Sequence, residues 1–378
     1  MSNGSSLPGS TLFEVEDTPT CGRGVFALQD IPAGTSLLHT ASLPASVVLR
    51  NYNREVCAQC FVYERGRNLK TRSVETGHSF CSQECLQAWM EDVGPIAIQA
   101  WTAIEDFIKK KSMQGNGSQN GNGNDDHEFH DMNDARPNEE EIRLAWDSVS
   151  STAHFVLEAR NGSIRKPHRR ALTSVLAIFP NPDYLSFLLS ATLSRSRNVL
   201  PPTERAAATE WESLLELVPD PTPYATSSCL QTAIQSYLHL LALLPLPLLP
   251  HVNAAGFLAL AERDSHNSFG IRSLDDGGEE FMGYGVWPVA SFFNHSCSPN
   301  VGKRRVGRTW DFWTSRRVRK GEELFISYMG GDEVDLDLGE RRKRLGETWA
   351  FECGCVRCVI EDVGLSKEDE VLEGEDAV

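Results

Sequence analysis

Three groups of residues in this 378-residue chain have the types and spacing needed for metal binding or group transfer. The first is Cys57-x2-Cys60 with Cys81-x3-Cys85, four thiols on two short arms. Tetrahedral Zn2+ accepts four thiolates and supplies folding energy to a segment too small for its own core. The second is Cys353-x-Cys355-x2-Cys358, one ligand short of a closed structural site. Cys21, Cys229 and Cys297 are the free candidates for the fourth ligand, and spacing alone does not choose among them. The third combines Phe293-Asn294-His295-Ser296-Cys297-Ser298-Pro299-Asn300 with a later turn and strand, Gly321-Glu322-Glu323-Leu324-Phe325-Ile326-Ser327-Tyr328. Near the start stands Cys21-Gly22-Arg23-Gly24-Val25-Phe26-Ala27.

The elements that must position these groups follow from periodicity and punctuation. Phe13 to Val15, Gly24 to Ala27 and Ser36 to Thr40 read as strands, separated by Gly22, Gly24 and the Ile31-Pro32-Ala33-Gly34 turn. Helical patterns cover Glu84 to Met90 and residues 96–111, the latter with Ile98, Trp101, Ile104 and Ile108 on one face. From 142 to 262 the pattern is mostly helical, including Tyr184 to Leu193 and Ser228 to Leu244. A β and turn texture returns from Asn267 to Tyr328. Each β-rich region is too small to close a core alone, which predicts one sheet system interrupted by insertions in an α+β fold.

Charge and composition narrow the function classes. Acidic residues outnumber basic ones 52 to 36, a formal charge of −16, while 40% hydrophobic and 8% aromatic content is ample for a buried core. Residues 112–141 hold eight acids and one base, and residues 361–378 hold the same numbers. Both read as acidic, disordered appendages, so the body is near neutral and carries no protein-wide basic footprint for nucleic acid. Met1 to Ser10 has no apolar stretch of a secretory signal, and the longest apolar run, Leu238 to Val252, is broken by three prolines and two histidines. Neither export nor a membrane span is expected, and grouped cysteines then read as metal ligands rather than disulfides.

The ordered set of motifs resembles the SET domain of protein-lysine methyltransferases. The cysteine-rich stretch after residue 50, and Arg341-Arg342-Lys343-Arg344-Leu345 followed by Phe351-Glu352 and the Cys-x-Cys-x2-Cys tail, are similar to the SMYD branch. The resemblance lies in residues 21–90 and 267–358, with 100–262 matching only as a helical insert of plausible length. It implies a SET β-clip fold divided into an N-terminal part (11–50), a MYND-like zinc module (51–95), a helical insert (96–262, with a disordered loop at 112–141), a C-terminal SET part (263–330), a post-SET zinc segment (331–360) and an acidic tail (361–378).

The resemblance also implies an activity, transfer of the methyl group of S-adenosylmethionine to a protein lysine. It places Gly22, Arg23, Gly24, Asn294, His295, Tyr328 and Phe351 at the cofactor. Arg23 would pair with the cofactor carboxylate and Phe351 would stack on adenine. Phe269, Ser291 and Tyr328 would line the substrate-lysine channel, and Tyr328 would align the amine with the methyl group, the main catalytic contribution. A low-dielectric channel beside a cationic sulfonium lowers the ammonium pKa, so no dedicated general base is required. Two structural zinc ions are implied, one on Cys57, Cys60, Cys81 and Cys85 and one on Cys297, Cys353, Cys355 and Cys358.

Where the chain departs from the family, the expectations change. Eight ligands and two zinc ions would make a full MYND module, but only one set of four cysteines is present, with His78 a conceivable substitute. Cys21 and Cys229 are left as plain buried thiols. Tyr184, Asn181 and Asn198 are conceivable cofactor contacts in the helical insert. The implied partners are a protein with an accessible lysine, histone or other. Direct nucleic-acid binding, through Lys303-Arg304-Arg305 or Arg341 to Arg344, is not expected, because these runs read as solvated faces. A monomer in the nucleus and/or cytoplasm is implied. The alternative, from another class, is a non-catalytic adaptor that keeps the scaffold and zinc modules for protein interaction.

Overall fold

The computed structural model describes residues 10–18, 22–115, 135–197, 210–274 and 278–364. Its strands are β1 (Phe13–Asp17), β2 (Arg23–Ala27), β3 (Ser36–Thr40), β4 (Ala45–Val48), β5 (Thr71–Arg72), β6 (Ser79–Phe80), β7 (Ser268–Arg272), β8 (Phe281–Val286), β9 (Val301–Val306) and β10 (Thr309–Thr314). Its helices are α1 (Gln83–Gly115), α2 (Glu139–Ser148), α3 (Ser150–Arg160), α4 (Lys166–Ala177), α5 (Pro182–Arg197), α6 (Glu210–Leu215), α7 (Ser227–Leu243), α8 (Ala254–Asn267), α9 (Leu338–Trp349) and α10 (356–364). The chain divides into two compact units, one made of residues up to Ser42 and from Pro288 onward, the other of Leu43–Trp287.

In the first unit β1 and β2 form an antiparallel hairpin, Phe13 opposite Ala27 and Asp17 opposite Arg23. β3, β10 and β9 form a three-stranded antiparallel sheet, with a bulge between Phe312 and Trp313. The core of this unit runs through aromatic contacts. Phe293 stacks on Phe312 with ring centroids 5.0 Å apart and meets Phe13 edge-on at 5.9 Å. After Tyr328 the chain enters α9, started by a reciprocal capping box between Asp337 and Glu340 and ended by Ala350 in the left-handed region at φ 57°.

In the second unit β4, β8 and β7 form an antiparallel sheet, and β5 pairs with β6 in the cysteine-rich module. A Cβ on Gly283 would lie 2.1 Å from the Val47 carbonyl oxygen, so glycine is needed for this strand approach. Around the sheet, α5 and α7 contribute a fully buried apolar layer that includes Leu185, Phe187, Leu188, Leu240 and Leu241. α1 is kinked where Gly94 takes φ 74° ahead of Pro95, which has no N–H to give and restricts the residue before it.

Three expectations are corrected. Among the described residues the strands form four small sheets rather than one system, because they are only two to six residues long and interrupted by bulges. The segment 112–141 is helical at both ends. α1 runs to Gly115, and α2 begins at Glu139, where Asn138 and Glu141 make a capping box. Residues 116–134 lie outside the described residues, as does 365–378 of the acidic tail, whose first four residues continue α10. Among the described residues, no helix is long and apolar enough to cross a membrane.

Candidate active site and metal centres

Both cysteine groups come together in space. The Sγ atoms of Cys57, Cys60, Cys81 and Cys85 all lie within 4.8 Å of one another, and so do those of Cys297, Cys353, Cys355 and Cys358. Among the described residues these are the two groups of three or more potential metal donors. Sγ···Sγ separations are 3.6 Å for Cys60–Cys81 and 3.4 Å for Cys81–Cys85. In the second group they are 3.8 Å for Cys297–Cys353 and 3.6 Å for Cys297–Cys358. Zn–S bonds of about 2.3 Å in a tetrahedron require edges of about 3.8 Å, so both donor sets fit zinc.

The first group is made locally. Phe61 N–H donates to the Cys57 carbonyl, Cys57 N–H to the Val62 carbonyl, and Phe61 adopts φ 56°, which folds the Cys57–Cys60 arm into a tight knuckle. Cys81 follows β6, and Cys85 sits in the first turn of α1. His78 is not in the ligand group. Its ring lies between Trp89 and Trp101, at 5.0 and 4.7 Å, and burial pulls its pKa down to about 4. Cys229 instead exchanges hydrogen bonds with Thr226, the N-cap of α7, and Cys21 lies outside the described residues.

The second group is assembled over long range, with Cys297 as the fourth member. Two arginines converge on it. Arg341, fully buried, directs its guanidinium to Cys358 Sγ at 3.6 Å, to the Leu336 carbonyl at 2.6 Å and to the Glu361 carboxylate. Arg357 donates to the carbonyls of Glu333 and Cys297. The expectation that residues 341–344 and 303–305 are solvated faces is therefore corrected. Arg341 and Arg305 are buried, and burial pulls the Lys303 ammonium down to about 8, an effect that Glu333 opposes. A charge run in sequence does not reveal which member is turned inward.

Asn294 and His295 are brought to Tyr328 by a parallel bridge between His295 and Ile326. Ile326 N–H donates to the Asn294 carbonyl, and Ser296 N–H donates to the Ile326 carbonyl. In such a bridge the N–H and C=O of His295 itself face away from Ile326, and they have no partner among the described residues. The His295 ring is fully engaged. Its Nδ1 accepts from Tyr328 N–H at 3.0 Å, which leaves the proton on Nε2, 3.3 Å from Cys297 Sγ. Burial pulls this imidazole down to about 4, so it is neutral at pH 7. The ring thus ties a metal-ligand sulfur to the tyrosine backbone, a common second-layer role around metal sites. What His295 offers a ligand is its backbone.

Tyr328 donates its hydroxyl to the Phe293 carbonyl at 3.1 Å, which fixes the direction of the phenol proton. Its ring packs against His295, Trp349 and Phe351, at 5.3, 5.4 and 6.3 Å. Tyr328, Trp349 and Phe351 also pack on the cluster formed by Cys297, Leu338, Leu345, Cys353 and Cys358.

The Arg23 guanidinium lies 5.0 Å over the Phe292 ring. Gly22 takes φ 70°, with open space where a side chain would be. Gly24 is closely approached by side chains instead. A Cβ there would lie 2.3 Å from Glu323 Oε1 and 3.0 Å from Asn294 Nδ2. Asn294 Nδ2 gives its two protons to Glu323 Oε1 (2.9 Å) and the Arg23 carbonyl (3.1 Å), which fixes the amide and leaves Oδ1 as an acceptor with no partner among the described residues. Burial raises the Glu323 pKa, opposed by the Asn294 hydrogen bond. Ser291 sits in the short 3-10 turn Ala290–Phe292 of the first unit. Phe269 belongs to β7 of the second unit, where its ring meets Trp287 edge-on at 6.2 Å. Of the conceivable contacts in the helical insert, Asn181 caps α5 through Tyr184 N–H, the buried Tyr184 phenol is held well above its usual pKa by burial, and Asn198 lies outside the described residues.

Sequence reasoning missed Glu323, Trp349, Arg341 and Arg357. The motif Gly-Glu-Glu-Leu contained Glu323, but nothing in its spacing pairs it with Gly24, some 300 residues earlier in the chain.

Comparison with known proteins gives a consistent picture. A family model described as the SET domain matches residues 22–329. The potential protein lysine methyltransferase SET6 of Saccharomyces cerevisiae is 24% identical over 382 residues, 93% of this chain and 96% of that protein. The histone-lysine N-methyltransferase ASHR2 of Arabidopsis thaliana is 30% identical over 184 residues, 44% of this chain and 46% of that protein. The human histone-lysine N-methyltransferase SMYD3 is 35% identical over 112 residues, 30% of this chain and 24% of that protein. The chain thus spans nearly the whole yeast relative but less than half of the plant and human ones.

Proposed function

The chain belongs to the SET domain family, and on that premise we propose that it transfers the methyl group of S-adenosylmethionine to a lysine amine of a protein, with zinc held in both four-cysteine groups. The observation that carries this reading is the direct link from His295 Nδ1 to the Tyr328 N–H. It sets the Asn294–His295 segment beside the tyrosine hydroxyl.

Several groups suit the cofactor. Asn294 Oδ1 is a fixed acceptor for an ammonium, the His295 N–H and C=O are available for an adenine edge, and Phe351 offers an aromatic face. S-adenosylmethionine, when bound, supplies an electrophilic methyl group on a cationic sulfur. Tyr328 provides the alignment. With its proton directed at the Phe293 carbonyl, the phenol oxygen accepts an N–H of the substrate amine and turns the amine lone pair toward the donor. Cys297, His295 and Tyr328 form one continuous path, so the second zinc site is the support on which this alignment rests. The lysine reaches its reactive neutral form through desolvation, since the imidazole nitrogens are both engaged and cannot serve as base.

The substrate we propose is a lysine in an accessible protein segment. Histone is one candidate, because the plant and human relatives are named as histone-lysine methyltransferases. The adaptor alternative is not favoured. A monomer in the nucleus and/or cytoplasm, and a lysine channel that includes Ser291, are carried forward as part of the proposal. The test is incubation of the purified chain with labelled S-adenosylmethionine and lysate or histone protein, read as label on lysine. Cofactor-induced thermal stabilisation without any transfer to protein would reject the enzymatic reading.

A further inference from the structure

The proposed activity leaves one strongly charged surface without a role. Residues 159–182 contain no acid and five bases, Arg160, Arg165, Lys166, Arg169 and Arg170, in a chain whose net charge is −16. Arg160 is consumed internally, donating to the carbonyls of Ala242 and Leu244. The other four cations are exposed on and just before the first turns of α4, and among the described residues none has an ion-pair or side-chain hydrogen-bond partner.

This arrangement runs against local electrostatics. The N-terminal end of a helix carries positive partial charge and favours acids, yet the first turn of α4 holds none. Lys166 also stands three and four residues from Arg169 and Arg170, like-charge spacings that destabilise a helix. Among the described residues no acid relieves the repulsion, and local rules broken without internal compensation mark functional surfaces. The two basic runs noticed in the sequence differ. Arg304 lies 3.8 Å from Asp311 and Arg305 donates to the Gly307 carbonyl. Arg342 pairs with Glu352 and Asp362, and Lys343 with Glu347.

We propose that the exposed ridge of α4 is a docking surface for the phosphate backbone of a nucleic acid. Lys166, Arg169, Arg170, Thr173 and Ser174 follow one another at i, i+3, i+4, i+7 and i+8, and all are exposed. The ridge spans about 12 Å at 1.5 Å per residue, a length of duplex that carries about seven phosphates. Cations and hydroxyls are the side chains that contact phosphate oxygens. The ridge holds no aromatic or large aliphatic side chain to seat in a protein partner, since the exposed Ile164 precedes the helix and Ile178 and Phe179 follow it. The ridge is also rigidly held. His168 pairs through Nδ1 with Ser163 Oγ at 2.8 Å and stacks on Phe155 at 5.1 Å, and the buried Val175 offers its carbonyl to His239. Because the whole chain is acidic, generic attraction to a polyanion is absent and binding must come from a local face.

The test uses the full chain and a fluorescent random-sequence duplex of about 20 base pairs, with anisotropy followed across salt concentration. The three ridge cations together with the adjoining Arg165 predict a slope of log K against log salt of about −3 to −4. The triple variant Lys166→Glu, Arg169→Glu and Arg170→Glu should bind at least about tenfold more weakly at low salt and lose most of that slope. Should the triple variant fail to fold, Arg169→Ala alone should flatten the slope by about one. Absence of duplex binding at low salt, or equal binding by the variants, overturns the proposal. So does tighter binding to a poly-glutamate peptide or to phosphatidylserine vesicles, which would assign the ridge to an acidic protein or a membrane. None of these readouts depends on methyl transfer.

Discussion

The two four-cysteine groups have the same donor set and nearly the same geometry, yet they are built in different ways. The first draws its ligands from residues 57–85, and its apolar support, Leu69, Phe80 and Trp89, lies within that stretch or one turn beyond it. The second joins Cys297 to a segment more than 50 residues away, and its cluster includes Tyr328, Trp349 and Phe351. A local site stabilises its own small module. A long-range site fixes the relative position of two distant chain segments, and here those segments carry the proposed catalytic tyrosine and its neighbours. Zinc in the first group is expected to act on folding of the module alone, and in the second on folding and chemistry together.

The largest expected effect separates the two groups directly. Cys353→Ser or Cys358→Ser should remove one zinc equivalent and weaken S-adenosylmethionine binding by about 100-fold or more, read by calorimetry and metal analysis. Cys81→Ser should remove one zinc equivalent while leaving cofactor affinity within a few-fold. Equal loss from both changes would end the distinction. Next in size, Tyr328→Phe keeps the ring packing and removes the hydroxyl, so kcat should fall about 100-fold with cofactor affinity nearly unchanged. A parallel fall in affinity would mean that the hydroxyl organises the Phe293 carbonyl rather than the amine.

Gly24→Ala tests the same unit away from the metal. Its Cβ would meet Glu323 Oε1 at 2.3 Å, which displaces the carboxylate that fixes Asn294. The expected result is a loss of about 1–3 kcal/mol in stability and a rise in the KM for cofactor, measured by denaturant unfolding and initial rates. A variant of unchanged KM would show that Asn294 does not need Glu323.

The smallest effect is a pH dependence shared by the two regions. His78 beside the first group and His295 beside the second are each pulled by burial from 6.5 to about 4. The unfolded chain therefore takes up these protons first. Their contribution to stability is complete above about pH 6.5 and is lost as pH falls toward about 4, roughly 2 kcal/mol per histidine by pH 5. His78→Phe, which keeps an aromatic ring between Trp89 and Trp101, should flatten the acid limb of stability measured by urea unfolding. An unchanged limb would assign the acid loss to other groups, thiolate protonation first among them.

Much of the fold was legible wherever the relevant interactions are local. β3 begins and ends where its sequence pattern does, and α5 and α7 lie within a few residues of their predicted spans. The capping box at Asn138–Glu141 was as local as these, but an acid-rich, Gly- and Asn-rich neighbourhood masked it. The thiol pairs spelled out a metal site at Cys57–Cys85, because two short arms and their spacing suffice to close it.

The sequence by itself determined the SET resemblance, the seven thiols grouped by spacing and the tyrosine at the end of its motif. Only the tertiary structure decided what joins them. It brought Cys297 to the three later thiols while Cys229 bonded to Thr226, turned the His295 ring to Tyr328 and Cys297, buried Arg341 from within an apparently solvated run, and set Glu323 against Gly24. It also left the α4 cations without counterions among the described residues while pairing most of the more conspicuous runs. The reason is one of range. Periodicity, capping and ligand-pair spacing act within a few turns of chain, whereas contacts across 50 or 300 residues depend on loop closure and on the packing of every element between them.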